Sequence, residues 1–262
     1  MTLVGQASVA VALFVALLVG LVFAWRWFEK NRTRARTFIS ARFARGEYLG
    51  LHLTVGLAVS LAGLWLFSAI TEDVIHHDPL TQFDVALLDW LRGHATPTGY
   101  AVSNTISLLG SPVTLTVMAL TVGVMMVARR RWIVLGGWAA AFVGGDILNA
   151  ALKLVIHRAR PPDASDFLSD TSWSFPSGHA MGSLIAYGML AYILLVVIRI
   201  PGRGWQLFVV GGAVLLIVAI GLSRLYLGVH YFSDVVGGYA AGVLWLSACI
   251  SGLEGLRSQR AP

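Results

Sequence analysis

Apolar residues run along this chain in long blocks, separated by short breaks that carry nearly all of its charge. Seven blocks read as membrane-spanning helices: residues 3–25, 49–70, 105–128, 132–152, 178–199, 206–222 and 235–252, the sixth somewhat short. Crossing about 30 Å of hydrocarbon takes roughly 20 apolar residues in a helix, and a spanning backbone has to satisfy its own hydrogen bonds. The pattern therefore predicts an all-α, polytopic transmembrane bundle forming one domain. No basic residue precedes the first block, unlike the charged start of a secretory signal, so residues 3–25 are expected to be an uncleaved span. His52, inside the second block, reads as a packed or interfacial polar residue.

Two breaks contain patterns of their own. Residues 71–100 turn acidic through Glu72, Asp73, Asp78, Asp84 and Asp89. Within them Leu80, Phe83, Leu87 and Leu91 recur at helical spacing with Asp84 and Arg92 off that stripe, which predicts a short amphipathic helix lying on the membrane surface. His76-His77-Asp78 reads as a solvated loop, because adjacent residues diverge around a helix. Farther on, Asp146, Asn149 and Lys153 follow at i, i+3 and i+7 and share one face. Two readings of that face stay open: a polar seam between helices, or a seam that positions Lys153.

Composition agrees with the pattern. The chain is 57% hydrophobic and 12% charged with mean hydropathy +0.75, against about 25% charged in soluble domains. The formal charge is +6, but its distribution says more than its sum. Residues 26–48 (Arg26, Lys30, Arg32, Arg34, Arg36, Arg42 and Arg45), the turn 129–131, the stretch 199–205 and the C-terminal residues hold 14 of the 19 basic residues. Seven alternating spans put all four on one side, which the positive-inside rule makes cytoplasmic. The arginines thus report topology, and no nucleic-acid partner is implied. Trp27, Phe28, Phe38, Ile39 and Phe43 also permit a helix lying on an anionic leaflet within 26–48. A single cysteine, Cys249, rules out an internal disulfide and a cysteine metal site.

The opposite, outward side collects three polar motifs: Lys153-x6-Arg160-Pro161, Pro176-Ser177-Gly178-His179, and Ser223-Arg224-x5-His230-x3-Asp234. Charge at a membrane is costly and functional by default. Lys153, Arg160 and Arg224 are fixed cations of the kind that stabilise the spread charge of a phosphoryl group in flight. Pro176-Ser177-Gly178 reads as a helix start whose first N–H groups make an anion site. His230 and Asp234, four apart, can share a helical face so that the carboxylate holds the imidazole. The cations occupy the role that a magnesium ion would play, so no metal or other cofactor is expected.

Together the three motifs, in this order, resemble the type 2 phosphatidic acid phosphatase family of membrane lipid phosphatases, and every defined position of its pattern is matched between residues 153 and 234. The resemblance implies a six-helix phosphatase core over residues 49–262, preceded by an extra span and basic loop at 1–48. It implies that His230 is a nucleophile forming a phosphohistidine, that Asp234 fixes its tautomer, and that His179 protonates the leaving oxygen and then activates water. Lys153, Arg160, Ser177, Gly178, Ser223 and Arg224 would hold the phosphoryl group. Arg158 and His157 lie nearby but outside the pattern. The family is similar to vanadium-dependent haloperoxidases, which are soluble; the hydropathy here argues against that activity. The expected partner is a lipid phosphate in the bilayer of a bacterial-type inner membrane, with undecaprenyl diphosphate, phosphatidylglycerol phosphate and phosphatidic acid as candidates and the first favoured. Lipid-to-lipid phosphotransfer would use the same residues. A lipid transporter using Asp146 and Lys153 is the non-enzymatic alternative.

Overall fold

A computed structural model describes residues 48–76, 79–162 and 173–258. The expected span at 3–25 and nearly all of the basic segment lie outside them. Every described element is helical: α1 (Tyr48–His76), α2 (Pro79–Gly93), α3 (Pro97–Leu109), α4 (Pro112–Ala128), α5 (Trp132–Ile156), α6 (Gly178–Tyr192, continued by a π turn over Ile193–Val197), α7 (Arg203–Tyr226) and α8 (Phe232–Ser258). Among the described residues, six segments are long and apolar enough to cross a membrane: Thr54–His76, Pro97–Ala128, Trp132–Ile156, Gly178–Val197, Arg203–Tyr226 and Phe232–Ser258.

The membrane side of the bundle follows from which side chains face outward. On α4, Val113, Val117, Leu120 and Val124 form a stripe at helical spacing and are all more than half exposed. In water such a stripe would be a liability; against lipid tails it is ordinary. The interior is built around α6 and α8, where Met181, Ile185 and Met189 pack with Ala241, Leu253 and Trp138. Close approach of these two helices depends on Gly238, where a Cβ would sit 2.7 Å from the Ser177 carbonyl oxygen. Two large polar side chains inside the bundle find backbone partners, as burial in hydrocarbon demands. The Trp245 indole donates to Ala141 O at 3.1 Å and the Tyr239 hydroxyl to Ile217 O at 2.6 Å.

Three expectations need correcting. The third span begins at Pro97, eight residues earlier than the pattern placed it, as two helices joined at Gly110–Ser111. Pro112 supplies no N–H to continue α3, and Ser111 caps α4 by accepting from Thr114 N at 3.3 Å. Second, the later spans run past their apolar blocks, so that Lys153, Arg224 and Asp234 sit in terminal helical turns. Third, α2 exists where periodicity put it, and Leu80 and Leu91 pack inward as expected, but so does Asp84, which is 1% exposed, while Phe83 is half exposed. A carboxylate on the buried face was unreadable from the stripe because its partner comes from a distant part of the chain.

Candidate active site

Alternation of the spans brings the ends of α5, α6, α7 and α8 that carry the motifs to one side. Between them lies a cavity of about 400 Å³, lined at its polar end by Lys153, Arg160, Gly178, His179, Arg224 and His230. Residues from all three motifs therefore meet in one place.

The α7–α8 turn presents His230. Ser223 and Arg224 close α7, and Gly228, at φ +67°, reverses the chain; a side chain there would be strained. Gly228 N donates to Leu225 O at 2.9 Å and Val229 N to Arg224 O at 3.2 Å. His230 Nδ1 then lies 3.3 Å from Asp234 Oδ2, and Arg160 Nη1 lies 3.3 Å from His230 Nε2. A carboxylate only accepts and a guanidinium only donates. The neutral ring therefore carries its proton on Nδ1 and turns the Nε2 lone pair toward the cations.

Asp234 is wholly buried and held from four directions. Arg158 donates to Oδ1 at 2.6 Å, Tyr231 N to Oδ2 at 2.9 Å, and the Ser174 hydroxyl also to Oδ2. Its backbone carbonyl accepts from Ser177 N at 2.9 Å, which ties the second motif to the third. Arg158 is in turn anchored by Asp84 at 2.7 Å and stacks over the Tyr231 ring at 4.4 Å. Asp84 also accepts from Ser233 N at 2.9 Å and from the Ser233 hydroxyl. The chain Asp84–Arg158–Asp234–His230 links the surface helix α2 to the imidazole. Arg158 and Ser174 were not placed in the site by motif reading, and Asp84 was assigned to the wrong face.

Two buried donors in this region have no hydrogen-bond partner among the described residues: Ser177 Oγ and Arg224 Nε. Ser177 occupies the N-cap position of α6, but its hydroxyl makes no capping bond. Arg224 spends Nη1 on Ser107 Oγ at 2.5 Å. Buried polar atoms are rarely left without a partner; of these two residues Arg224 lines the cavity and Ser177 immediately precedes the lining residues Gly178 and His179. Lys153 lines the same cavity and donates to Trp173 O. The Ser223 hydroxyl donates to Ile220 O at 2.6 Å within its own helix, and Ser223, like Ser177, does not line the cavity.

Burial pushes the His230 imidazole down to about 4, against the opposing pull of Asp234, with Arg224 and Arg160 adding to the depression. An unfolded histidine titrates near 6.5. Between those values the unfolded chain binds a proton that the native site refuses, so His230 contributes stability above about pH 6.5 that is lost as the pH falls toward 4. We expect NMR of histidine-labelled protein, assigned with a His230→Gln variant, to show a neutral His230 ring at pH 5.5, where a free imidazole is about nine-tenths protonated. A ring that titrates near 6.5 would mean that the site is open to water.

These features define a membrane-embedded, cation-lined site with a buried His–Asp pair, suited to phosphoryl chemistry. Comparison with known proteins agrees. The model of the PAP2 superfamily matches residues 132–257. Phosphatidylglycerophosphatase B of Bacillus subtilis is 31% identical over 185 residues, covering 69% of this chain and 88% of that protein. Decaprenylphosphoryl-5-phosphoribose phosphatase of Mycobacterium tuberculosis is 35% identical over 136 residues, covering 51% of this chain and 66% of that protein. The crystal structure of a transmembrane PAP2-type phosphatidylglycerolphosphate phosphatase from Bacillus subtilis superposes with a TM-score of 0.65 at 28% identity, over 79% of this chain and 97% of that one. The chain belongs to the PAP2 superfamily, and it is an integral membrane phosphatase.

Proposed function

We propose that the protein hydrolyses a phosphate ester of a membrane lipid, without a metal ion, through a phosphohistidine at His230. The observation that carries this reading is the lone pair of His230 Nε2, facing a cavity lined by Lys153, Arg160 and Arg224, with the opposite ring nitrogen against Asp234. Phosphoryl oxygens take up the cations and the two orphaned donors, Ser177 Oγ and Arg224 Nε. His230 Nε2 attacks phosphorus, the bond to the lipid oxygen breaks, and His179 gives that oxygen its proton. Asp234 stabilises the positive ring that results. Water then attacks phosphorus while His179 takes its proton; the phosphorus–nitrogen bond breaks, inorganic phosphate leaves, and His230 is restored. The three cations supply the charge stabilisation that a magnesium ion gives in other phosphoryl transfers.

Residues 49–262 would form the phosphatase domain and residues 1–48 an extra span followed by a basic cytoplasmic loop. The basic residues 129–131, 199 and 203 lie at the ends of the spans opposite the motifs, so the positive-inside rule directs the site outward, away from the cytoplasm of a bacterial-type inner membrane. Lipid-to-lipid transfer would use the same residues and differ only in the acceptor that attacks the phosphohistidine. A single experiment tests these points. A membrane-impermeant short-chain lipid phosphate, added with EDTA to sealed right-side-out vesicles, is expected to release inorganic phosphate. Activity only in inverted vesicles would reverse the orientation, loss of activity in EDTA would require a metal, and a newly phosphorylated acceptor lipid would mean transfer.

A further inference from the structure

The third span reaches the cavity without carrying any of the three motifs. Its first helix, α3, ends at the break beside Gly110, which lines the cavity, and Ser107 stands one helical turn before that break. Two glycines press α3 against α7 on either side of Ser107. A Cβ on Gly99 would sit 2.0 Å from the Tyr226 hydroxyl oxygen, and a Cβ on Gly110 would sit 2.5 Å from Ile220 Cγ2. The Tyr226 hydroxyl also accepts from Thr96 N at 3.0 Å, just before α3 begins. Ser107 is thereby held opposite Arg224; it is 4% exposed, and its hydroxyl oxygen accepts from Arg224 Nη1 at 2.5 Å.

Two buried arginines show what the choice of partner does. Arg158 pairs with two carboxylates, Asp84 at 2.7 Å and Asp234 at 2.6 Å, and does not line the cavity. Its charge is already matched. Arg224 lines the cavity, its one side-chain hydrogen bond among the described residues goes to the neutral hydroxyl of Ser107, and its Nε has no partner there. A carboxylate in place of that hydroxyl would hold the guanidinium firmly, but it would also cancel the charge and compete with an anion for the donors. A hydroxyl oxygen fixes one nitrogen and leaves the charge and the other donors to a ligand. Fixing matters because Arg224 shares the cavity with Lys153 and Arg160. Like charges repel until an anion joins them, and a long arginine side chain has many other rotamers to adopt.

We infer that Ser107 is a positioning residue of the phosphate site: its hydroxyl anchors Nη1 of Arg224 so that the remaining donors, Nε among them, are presented to the phosphoryl oxygens. Ser107 does not itself line the cavity, so its effect passes through Arg224. The inference rests on the phosphatase reading above.

Four full-length proteins in detergent micelles test it: the wild type, Ser107→Ala, Arg224→Ala and the double variant, each checked for its thermal midpoint without ligand. Two quantities are read. One is kcat/KM for phosphate release from a single lipid phosphate. The other is the dissociation constant of inorganic phosphate, taken from the rise it causes in the thermal midpoint. Ser107→Ala is expected to lower kcat/KM by about ten- to a hundredfold, as the loss of a hydrogen bond to a charged group does, and to weaken phosphate binding. On the Arg224→Ala background the same substitution should change neither quantity, because the residue it acts through is gone. The binding measurement needs no turnover, so the comparison stands even where Arg224→Ala leaves too little activity to read. If alanine lowers the midpoint without ligand, Ser107→Cys repeats the comparison with nearly the same volume and only a weak acceptor. Wild-type values of both quantities in Ser107→Ala overturn the inference while leaving the phosphatase reading intact. Equal losses on both backgrounds also overturn it, since Ser107 would then act by packing alone. Absence of phosphate release by the wild type removes the phosphatase reading and the inference with it.

Discussion

Replacing His230 with alanine is expected to lower phosphate release by at least about a thousandfold, with the protein still folded. Removing a nucleophile while the rest of a site remains leaves only the residual catalysis of charge and binding, and losses of that size or larger are typical. The expectation depends on geometry specific to this chain. Nε2 presents a lone pair because Arg160 can only donate to it and Asp234 can only accept from Nδ1. No other imidazole in the cavity is so placed, for His179 has no carboxylate partner among the bonds that the described residues make. His179→Ala should therefore behave differently: it removes the proton donor and the activator of water while leaving the nucleophile. Purified variants assayed with one lipid phosphate distinguish these cases. Wild-type rates in His230→Ala would remove this residue from the chemistry.

The second large effect is expected at Asp84, about 150 residues upstream of Asp234. Its carboxylate is buried, pairs with Arg158 at 2.7 Å and accepts from Ser233 N, while Arg158 reaches Asp234 at 2.6 Å. Asp84→Ala removes one of the two carboxylates that hold a guanidinium whose side chain is 12% exposed. Breaking a buried pair from one side costs about 3–5 kcal/mol, and losing an outer partner of a site residue typically lowers activity about ten- to a hundredfold. We expect both losses, with the fall mainly in kcat because the pair does not line the cavity that receives substrate. An Asp84→Leu, Arg158→Met double variant should be no worse than Arg158→Met alone, since Asp84 is then no longer left without its cation. Additive losses in the double variant would show that the two residues act separately.

Much of this arrangement was legible in the sequence, and the parts that were not share a cause. Apolar blocks reveal spans because lipid imposes a length, and the three motifs stand out because charge in such blocks demands a reason. Lys153, Arg160, His179, Arg224 and His230 meet in one cavity as their common side of the membrane implied. Asp84, by contrast, interrupts an apolar face, and only its contact with Arg158 makes that position tolerable; the partners are 74 residues apart. Ser174 is the same kind of case, a small polar residue in a loop that becomes part of the site only when Asp234 folds against it. Ser223 errs in the other direction: it lies in the third motif, yet its hydroxyl is turned into its own helix. The break between α3 and α4 was masked because Gly110 and Pro112 sit inside an otherwise continuous apolar run. Pattern thus reports what a single segment must do in lipid, whereas pairing between segments appears only in three dimensions.

The central claim is that His230 accepts the phosphoryl group, and trapping that intermediate tests it directly. Protein mixed with a lipid phosphate carrying ³²P in its terminal phosphate, then quenched in alkali within one turnover, is expected to hold label that is stable to base and labile to acid. The label should map to the peptide containing His230 and disappear in His230→Gln. Release of labelled phosphate at the full single-turnover rate with no label on the protein, or label on a different residue, would contradict the account.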